Sequence, residues 1–203
     1  MTTKKRTAIL ISGRGTNMAA LIEAAWAPDF PAKIVLVFSN VETAQGLRTA
    51  QAAGIRTQAL SHKEFASRED FDAAIDEALE TLEVDLICEA GFMRIHSDGF
   101  VRKWEGKMIN IHPSLLPSFK GLKVHEQTLA AGVKISGCTV HFMTPELDGG
   151  PIISQAAVPV LANDTPEILA ARILLEEHRI YPEALRLVAE GRVILKDGRA
   201  VFL

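Results

Sequence analysis

Thr7 to Ser12 reads T-A-I-L-I-S, an apolar run too short for a helix and without polar alternation. A strand of that kind is buried on both faces, the environment of a parallel sheet covered by helices. It runs straight into Gly13-Arg14-Gly15-Thr16-Asn17 and then into an alanine- and leucine-rich segment, Met18 to Ala27, that reads as helix. The alternation continues. Lys33 to Ser39 is a second buried strand, Ala44 to Ala53 a helix closed by Gly54, and Ile55 to Leu60 a weaker strand. Ser67 to Leu82 carries Phe71, Ala74, Ile75, Ala78, Leu79 and Leu82 at helical spacing, and Leu86 to Glu89 is a fourth strand. Strands separated by helical segments predict an α/β fold: an open, mostly parallel twisted sheet with helices on both faces.

The second half is less regular. Met108 to His112 is a strand ended by Pro113, because proline disfavours helix for the residue before it and cannot donate to a ladder. Pro113, Pro117 and Gly121 predict a rigid loop, followed by a helix from Val124 to Ala131 and strands at Ser136 to Phe142 and Ile152 to Val160. Thr165 caps a helix with Pro166 at its first position. That helix is expected to run through Leu175 and His178 to Ile180, break at Tyr181-Pro182, and resume to Glu190. Val193 to Leu195 and Ala200 to Phe202 flank Lys196-Asp197-Gly198-Arg199, a hairpin signal, so the C-terminal strands are expected to be partly antiparallel. With no repeat or linker, residues 1–203 are expected to form one domain.

Charge narrows the partners. A net charge of −3 among 203 residues argues against a nucleic-acid footprint, which needs a concentrated basic face. Two cysteines, Cys88 and Cys138, lie in apolar runs and form no C-x-x-C pair, which points to a reducing compartment. The residues after Lys4-Lys5-Arg6 lack a signal-peptide core, and no apolar run reaches membrane-spanning length. A cytoplasmic protein is expected.

Side chains at i and i+2 of a strand share a face. Asn110 and His112 therefore point together while Ile109 and Ile111 point away. An amide that can hold an oxyanion, beside an imidazole that can move a proton, suits acyl or formyl transfer. The alternative is a turn-capping asparagine and a satisfied, half-buried histidine. Asp148, in Leu147-Asp148-Gly149-Gly150-Pro151, is either an Asx-turn residue or a carboxylate that stabilises a charged His112. Gly13 to Asn17 could present backbone N–H groups to an anion. It is not a P-loop, lacking Gly-Lys-Ser/Thr, and Met18 stands where a dinucleotide fingerprint has its third glycine. Arg68, in the first turn of its helix, is disfavoured there by the helix dipole and hints at an anionic partner. Ala90 to His96 is too apolar for a solvent turn and suggests a ligand wall. No serine sits in a Gly-x-Ser-x-Gly elbow. The six histidines lack metal-ligand spacing; His62 and His125 are expected at the surface, and His141 against the site or core.

Asn110-Ile-His112-Pro-Ser-Leu-Leu-Pro117 with Leu147-Asp148-Gly-Gly-Pro151 resembles the formyltransferases that use 10-formyltetrahydrofolate. Gly13-Arg-Gly-Thr-Asn17 and Gly91-Phe-Met-Arg-Ile95 point to the branch of that family whose acceptor is glycinamide ribonucleotide. The resemblance runs from about Ile9 to Glu190. It implies a Rossmann-related sheet, a catalytic trio of Asn110, His112 and Asp148, and a glycinamide ribonucleotide site at Gly15, Thr16, Asn17 and Glu177. It implies a folate site at Arg68, Met93, Arg94, Ile95, His96, Asn110, Thr144 and Leu147. His96 stands where the family has an apolar residue, so its part in that site is by backbone position. Arg14 replaces a smaller polar residue in the glycine loop. 10-formyltetrahydrofolate is implied as co-substrate with no metal, no nucleic acid or membrane partner, and a monomer or weak homodimer. Rivals within the superfamily are a methionyl-tRNA formyltransferase and a formyltetrahydrofolate hydrolase. The rival outside it is a non-catalytic module that binds a phosphorylated metabolite.

Overall fold

In the computed structural model, which describes residues 3–203, the apolar runs become one seven-stranded sheet. Strands β1 (Lys5–Ile11), β2 (Ala32–Ser39), β3 (Thr57–Ala59), β4 (Leu86–Glu89) and β5 (Met108–His112) pair parallel. Strands β6 (Ile135–Phe142) and β7 (Ile152–Pro159) extend the sheet antiparallel, and β8 (Val193–Lys196) with β9 (Arg199–Phe202) form the expected separate hairpin. The order is β3-β2-β1-β4-β5-β6-β7. The chain therefore winds outward from β1, then returns to β1's other side with β4. The carboxyl ends of β1 and β4 meet at that reversal, where open α/β sheets form their ligand crevice.

Alternation along each strand divides the core. Ile9 and Ile11 of β1 pack on the face covered by α1 (Thr16–Ala25), α2 (Gln45–Ala52) and α6 (Pro166–Ala189), with Leu21, Leu47 and Leu169 among their neighbours in that layer. Ala8 and Leu10 enter the opposite layer, under α3 (Arg68–Thr81) and α4 (Asp98–Lys103), with Phe71, Ile75 and Phe100. In β5, Ile109 and Ile111 join the first layer and Met108 the second. Asn110 and His112 consequently share the α3–α4 face, as the alternation requires. Helix α5 (Val124–Ala130) follows the loop after β5 and contacts α6. Among the described residues no helix is long and apolar enough to cross a membrane.

Two α-helices differ from the sequence expectation. Helix α4 has no periodic signal in the sequence, because it is 6 residues long and buries only Phe100 and Val101; Ser97 caps it by accepting from the Phe100 amide at 3.3 Å. The break expected at Tyr181-Pro182 does not occur, and α6 is continuous across Pro182. A proline inside a helix removes one backbone bond and crowds the preceding turn. Here the helix is held on both sides of it by Ile180, Tyr181, Ala184 and Leu185, all essentially without exposure.

Tyr181 is also a strut. Its hydroxyl donates to the carbonyls of Glu89 at 2.8 Å and Ile109 at 3.1 Å, fastening α6 to β4 and β5 beside the site. Burial pushes the phenol well above its ordinary range, so it remains a donor. Tyr181→Phe should lower unfolding free energy by about 0.5–1.5 kcal/mol, the net worth of a hydrogen bond to carbonyls that also belong to paired strands. A urea titration with an unchanged midpoint would remove that role.

Candidate active site

The carboxyl ends of three parallel strands supply the site's loops. After β1, the Ser12 amide donates to the Gly91 carbonyl at 3.1 Å, and the Ser12 hydroxyl accepts from the Met93 amide at 2.7 Å. The loops following β1 and β4 are thereby tied together. Gly15 is the residue before α1 and holds a left-handed φ of 72° with no side-chain cap on the helix. A side chain at that φ is strained, and a Cβ there would lie 3.0 Å from the Gly46 backbone. Neither Thr16 nor Asn17 caps the helix with its side chain. The amides of the first turn of α1 therefore have no side-chain acceptor, the arrangement that accommodates an anion.

Asn17 does something else with its side chain. Its amide nitrogen donates to Glu177 Oε2 at 2.7 Å, across a separation of 160 residues. Its Oδ1 is buried without a hydrogen-bond partner among the described residues. Burial raises the Glu177 carboxyl above its usual range, opposed by the Asn17 amide. A buried orphan acceptor beside a desolvated acid costs stability, so this corner fits a ligand that donates hydrogen bonds.

On β5, Asn110 stands opposite His141 of β6, and its Nδ2 lies 3.3 Å from His141 Nε2. The Nδ1–H of His141 donates to the Phe142 carbonyl at 2.9 Å. Burial, with the His112 charge, holds His141 below its ordinary range against the opposing pull of Phe142 and Asp148. A neutral His141 with hydrogen on Nδ1 has its Nε2 lone pair available to accept from Asn110. His141 thus orients the Asn110 amide, a role that required the strand pairing to find.

His112 is buried and addresses two oxygens. Its Nε2–H donates to the Phe119 carbonyl at 2.9 Å, while Nδ1 lies 3.6 Å from Asp148 Oδ2. Asp148 adopts a positive φ of 47°, which short acidic residues tolerate. Its Oδ2 accepts from the Gly121 amide at 2.8 Å, so the loop after β5 holds the carboxylate facing the imidazole. His125 is half-buried, not at the surface as expected; burial first, and the His112 charge second, depress it. His62 is likewise half-buried, against Phe71 and Asn40.

The remaining candidates lie around this row. Met93 and Ile95 are exposed, as are Arg94, Leu147 and Arg68, the last at the start of α3; Thr144 is half-buried. His96 differs: it is buried, and its ring points into the protein. Asp148 also lines a cleft of about 410 Å³ that extends along Gly149 to Ile152 toward Arg199. Among the described residues no group of three or more His, Cys, Asp or Glu is arranged to hold a metal ion.

Residues 5–185 match the formyl transferase family. The chain is 43% identical over 192 residues to phosphoribosylglycinamide formyltransferase of Escherichia coli, covering 95% of this chain and 91% of that protein. It is 55% identical over 192 residues to the trifunctional purine biosynthetic protein adenosine-3 of Gallus gallus, covering 95% of this chain. It spans only 19% of that relative's length. The crystal structure of glycinamide ribonucleotide transformylase 1 from Symbiobacterium toebii superposes with a TM-score of 0.95 at 46% identity, over 98% of this chain and 94% of that one.

Proposed function

The chain belongs to the formyl transferase family, and from that premise we propose that it transfers the formyl group of 10-formyltetrahydrofolate to the amine of glycinamide ribonucleotide. The observation that carries the reading is the row of Asn110, His112 and Asp148 at the end of β5, with His112 Nδ1 3.6 Å from the carboxylate. The names of the relatives supply the acceptor and its role in purine synthesis.

10-Formyltetrahydrofolate would supply the formyl carbon. The acceptor amine forms the new C–N bond to it, the bond to the folate nitrogen breaks, and a proton moves from the amine to that departing nitrogen. Asn110, aimed by His141, donates to the oxygen that gains charge as the amine attacks. His112, facing acceptors with both ring nitrogens, serves in its charged form and hands a proton toward the leaving nitrogen. Asp148 orients it and stabilises the charge. No side chain forms a covalent intermediate in this scheme.

Gly15, Thr16 and the α1 amides are suited to the ribonucleotide phosphate, and the Asn17–Glu177 pair to its hydroxyl groups. The exposed Met93 to Ile95 segment, with Arg68, Thr144 and Leu147, suits the folate, whose carboxylates the arginine would meet. We also infer a cytoplasmic protein with small-molecule partners, acting without a metal as a monomer or weak homodimer, and one domain across residues 1–203.

The test offers purified protein 10-formyltetrahydrofolate with glycinamide ribonucleotide, water alone, or initiator methionyl-tRNA. Formylation of glycinamide ribonucleotide alone is expected. Acceptor-independent hydrolysis would assign a hydrolase instead, formylated tRNA would assign that acceptor, and binding without turnover would leave a metabolite-binding module.

A further inference from the structure

His96 is enclosed by charge and by rings. Its Nδ1 meets Asp72 Oδ1 at 2.7 Å, and its Nε2 meets Glu89 Oε1 at 2.8 Å. The Phe92 ring stacks on one side, with centroids 5.2 Å apart and planes at 12°; Phe100 stacks on the other at 4.4 Å and 19°. The residue is 5% exposed. Both ring nitrogens face carboxylate oxygens, which only the doubly protonated imidazole can satisfy.

The cluster sits behind the loop assigned above to the folate. Asp72 belongs to α3, and its second oxygen accepts from the Ser97 amide at 2.6 Å. Glu89 ends β4 and pairs in register with Asn110. The loop between Glu89 and Ser97 is thus pinned in front by Ser12, through Gly91 and Met93, and behind by His96. Between these pins Met93, Arg94 and Ile95 are exposed, and among the described residues Arg94 has no side-chain hydrogen bond or ion pair. Removing the rear pin would release the stretch that has to meet the ligand in one conformation.

We propose that His96 is a positioning residue for the cofactor: charged and clamped between Asp72 and Glu89, it holds the Met93–Ile95 backbone in the conformation that receives the formylfolate. The inference rests on the assignment of that loop to the folate. It makes the buried cluster part of ligand binding, whereas a purely structural ion triad would support the fold alone.

The charge has a definite pH range. Burial alone would lower the imidazole, but the two carboxylates outweigh it and raise it to about 9. Asp72 is lowered because His96 and the Ser97 amide together overcome its own burial. The ionisable groups facing His96 are Asp72 from α3 and Glu89 from β4; α4 and the loop contribute Phe100, Phe92 and Ser97. A histidine raised in the folded state stabilises it fully below its unfolded value of about 6.5 and loses that contribution as pH rises through about 9. The clamp is therefore intact at neutral pH and released in alkali.

Equilibrium binding of 10-formyltetrahydrofolate, without acceptor, tests this in the full chain between pH 7 and 9.5, with glycinamide ribonucleotide binding measured in parallel. The expected loss for the folate is about fourfold across that range if only the charged form binds, with no matching loss for the ribonucleotide. His96→Leu should weaken folate binding about tenfold at pH 7, since it strands two buried carboxylates. Glu89→Leu/His96→Leu leaves only Asp72, which keeps the Ser97 amide, and should recover part of that loss and bind independently of pH. Amide hydrogen exchange of Met93 to Ile95, corrected for intrinsic rates, reads the loop without any ligand and should follow the same pattern. A flat profile for both binding and exchange in the wild type would overturn the proposal, as would a double variant that keeps the alkaline loss. If the wild type binds no formylfolate while exchange still follows the charge of His96, the folate assignment fails and the clamp on the loop stands.

Discussion

His112→Ala is expected to lower kcat for formyl transfer by about 10²–10⁴-fold, the range for removing a positioned proton-transfer group, with both KM values nearly unchanged. A thermal melt of the variant separates this from unfolding, because the Ser114 hydroxyl donates first to the Ser118 carbonyl at 2.6 Å and lies 3.2 Å from the Phe119 carbonyl that loses His112. Asp148→Asn should lower kcat by about 10²-fold or more, because the amide keeps an acceptor for Gly121 but no longer carries the charge that supports the imidazolium. If the two act as a unit, the double variant will be little slower than His112→Ala alone. Multiplying effects would mean that Asp148 works independently, and an Asp148→Asn rate within about threefold of wild type would end its role.

Gly150→Ala is the second large effect, and it follows from space alone. A Cβ at Gly150 would lie 1.7 Å from the Phe142 carbonyl oxygen, 2.9 Å from its carbon and 3.3 Å from His141 Nδ1. The oxygen cannot easily yield, because it belongs to β6, paired on both sides by β5 and β7, and accepts from His141, whose other nitrogen meets Asn110. Relief has to come from displacing the turn that carries Asp148. The substitution should cost about 3 kcal/mol or more, at or beyond the upper end of ordinary overpacking, and should abolish most formyl transfer. Gly149→Ala is the control. The three atoms nearest its added Cβ all belong to the Glu146 side chain, at 2.4–2.6 Å, and that residue is exposed and can swing aside. A stability change within about 0.5 kcal/mol is expected there, as for ordinary surface substitutions. Thermal melts of the two variants side by side decide it; equal shifts would refute the steric account.

Where the sequence was right, the cause was local. Polar residues at alternate positions before Pro113 put Asn110 and His112 on one face whatever lay around them, because strand periodicity is a property of the backbone. Thr165-Pro166 started α6, and Asp197-Gly198 closed the hairpin, through the same short-range chemistry. The glycine loop before α1 and the parallel sheet followed from runs of a few residues. Asn17 and Glu177 could be named only through resemblance, since nothing local joins residues 160 positions apart.

Tertiary structure decided what depends on packing. Pro182 reads locally as a break, yet the buried residues around it and the Tyr181 strut keep α6 continuous, because one lost backbone bond is small against that burial. His141 became the partner of Asn110 only when β6 paired antiparallel with β5 in that register. His96 reads as one polar residue in an apolar loop, and its meaning came from Asp72 on a helix and Glu89 on a strand meeting at its two nitrogens. The sequence by itself determined the βα framework and the shared face of Asn110 and His112, because backbone periodicity and turn chemistry act over a few residues. The partners of those side chains, and the charge each is held to carry, were decided by the fold, because hydrogen bonds and electrostatics depend on distance in space and not on separation along the chain.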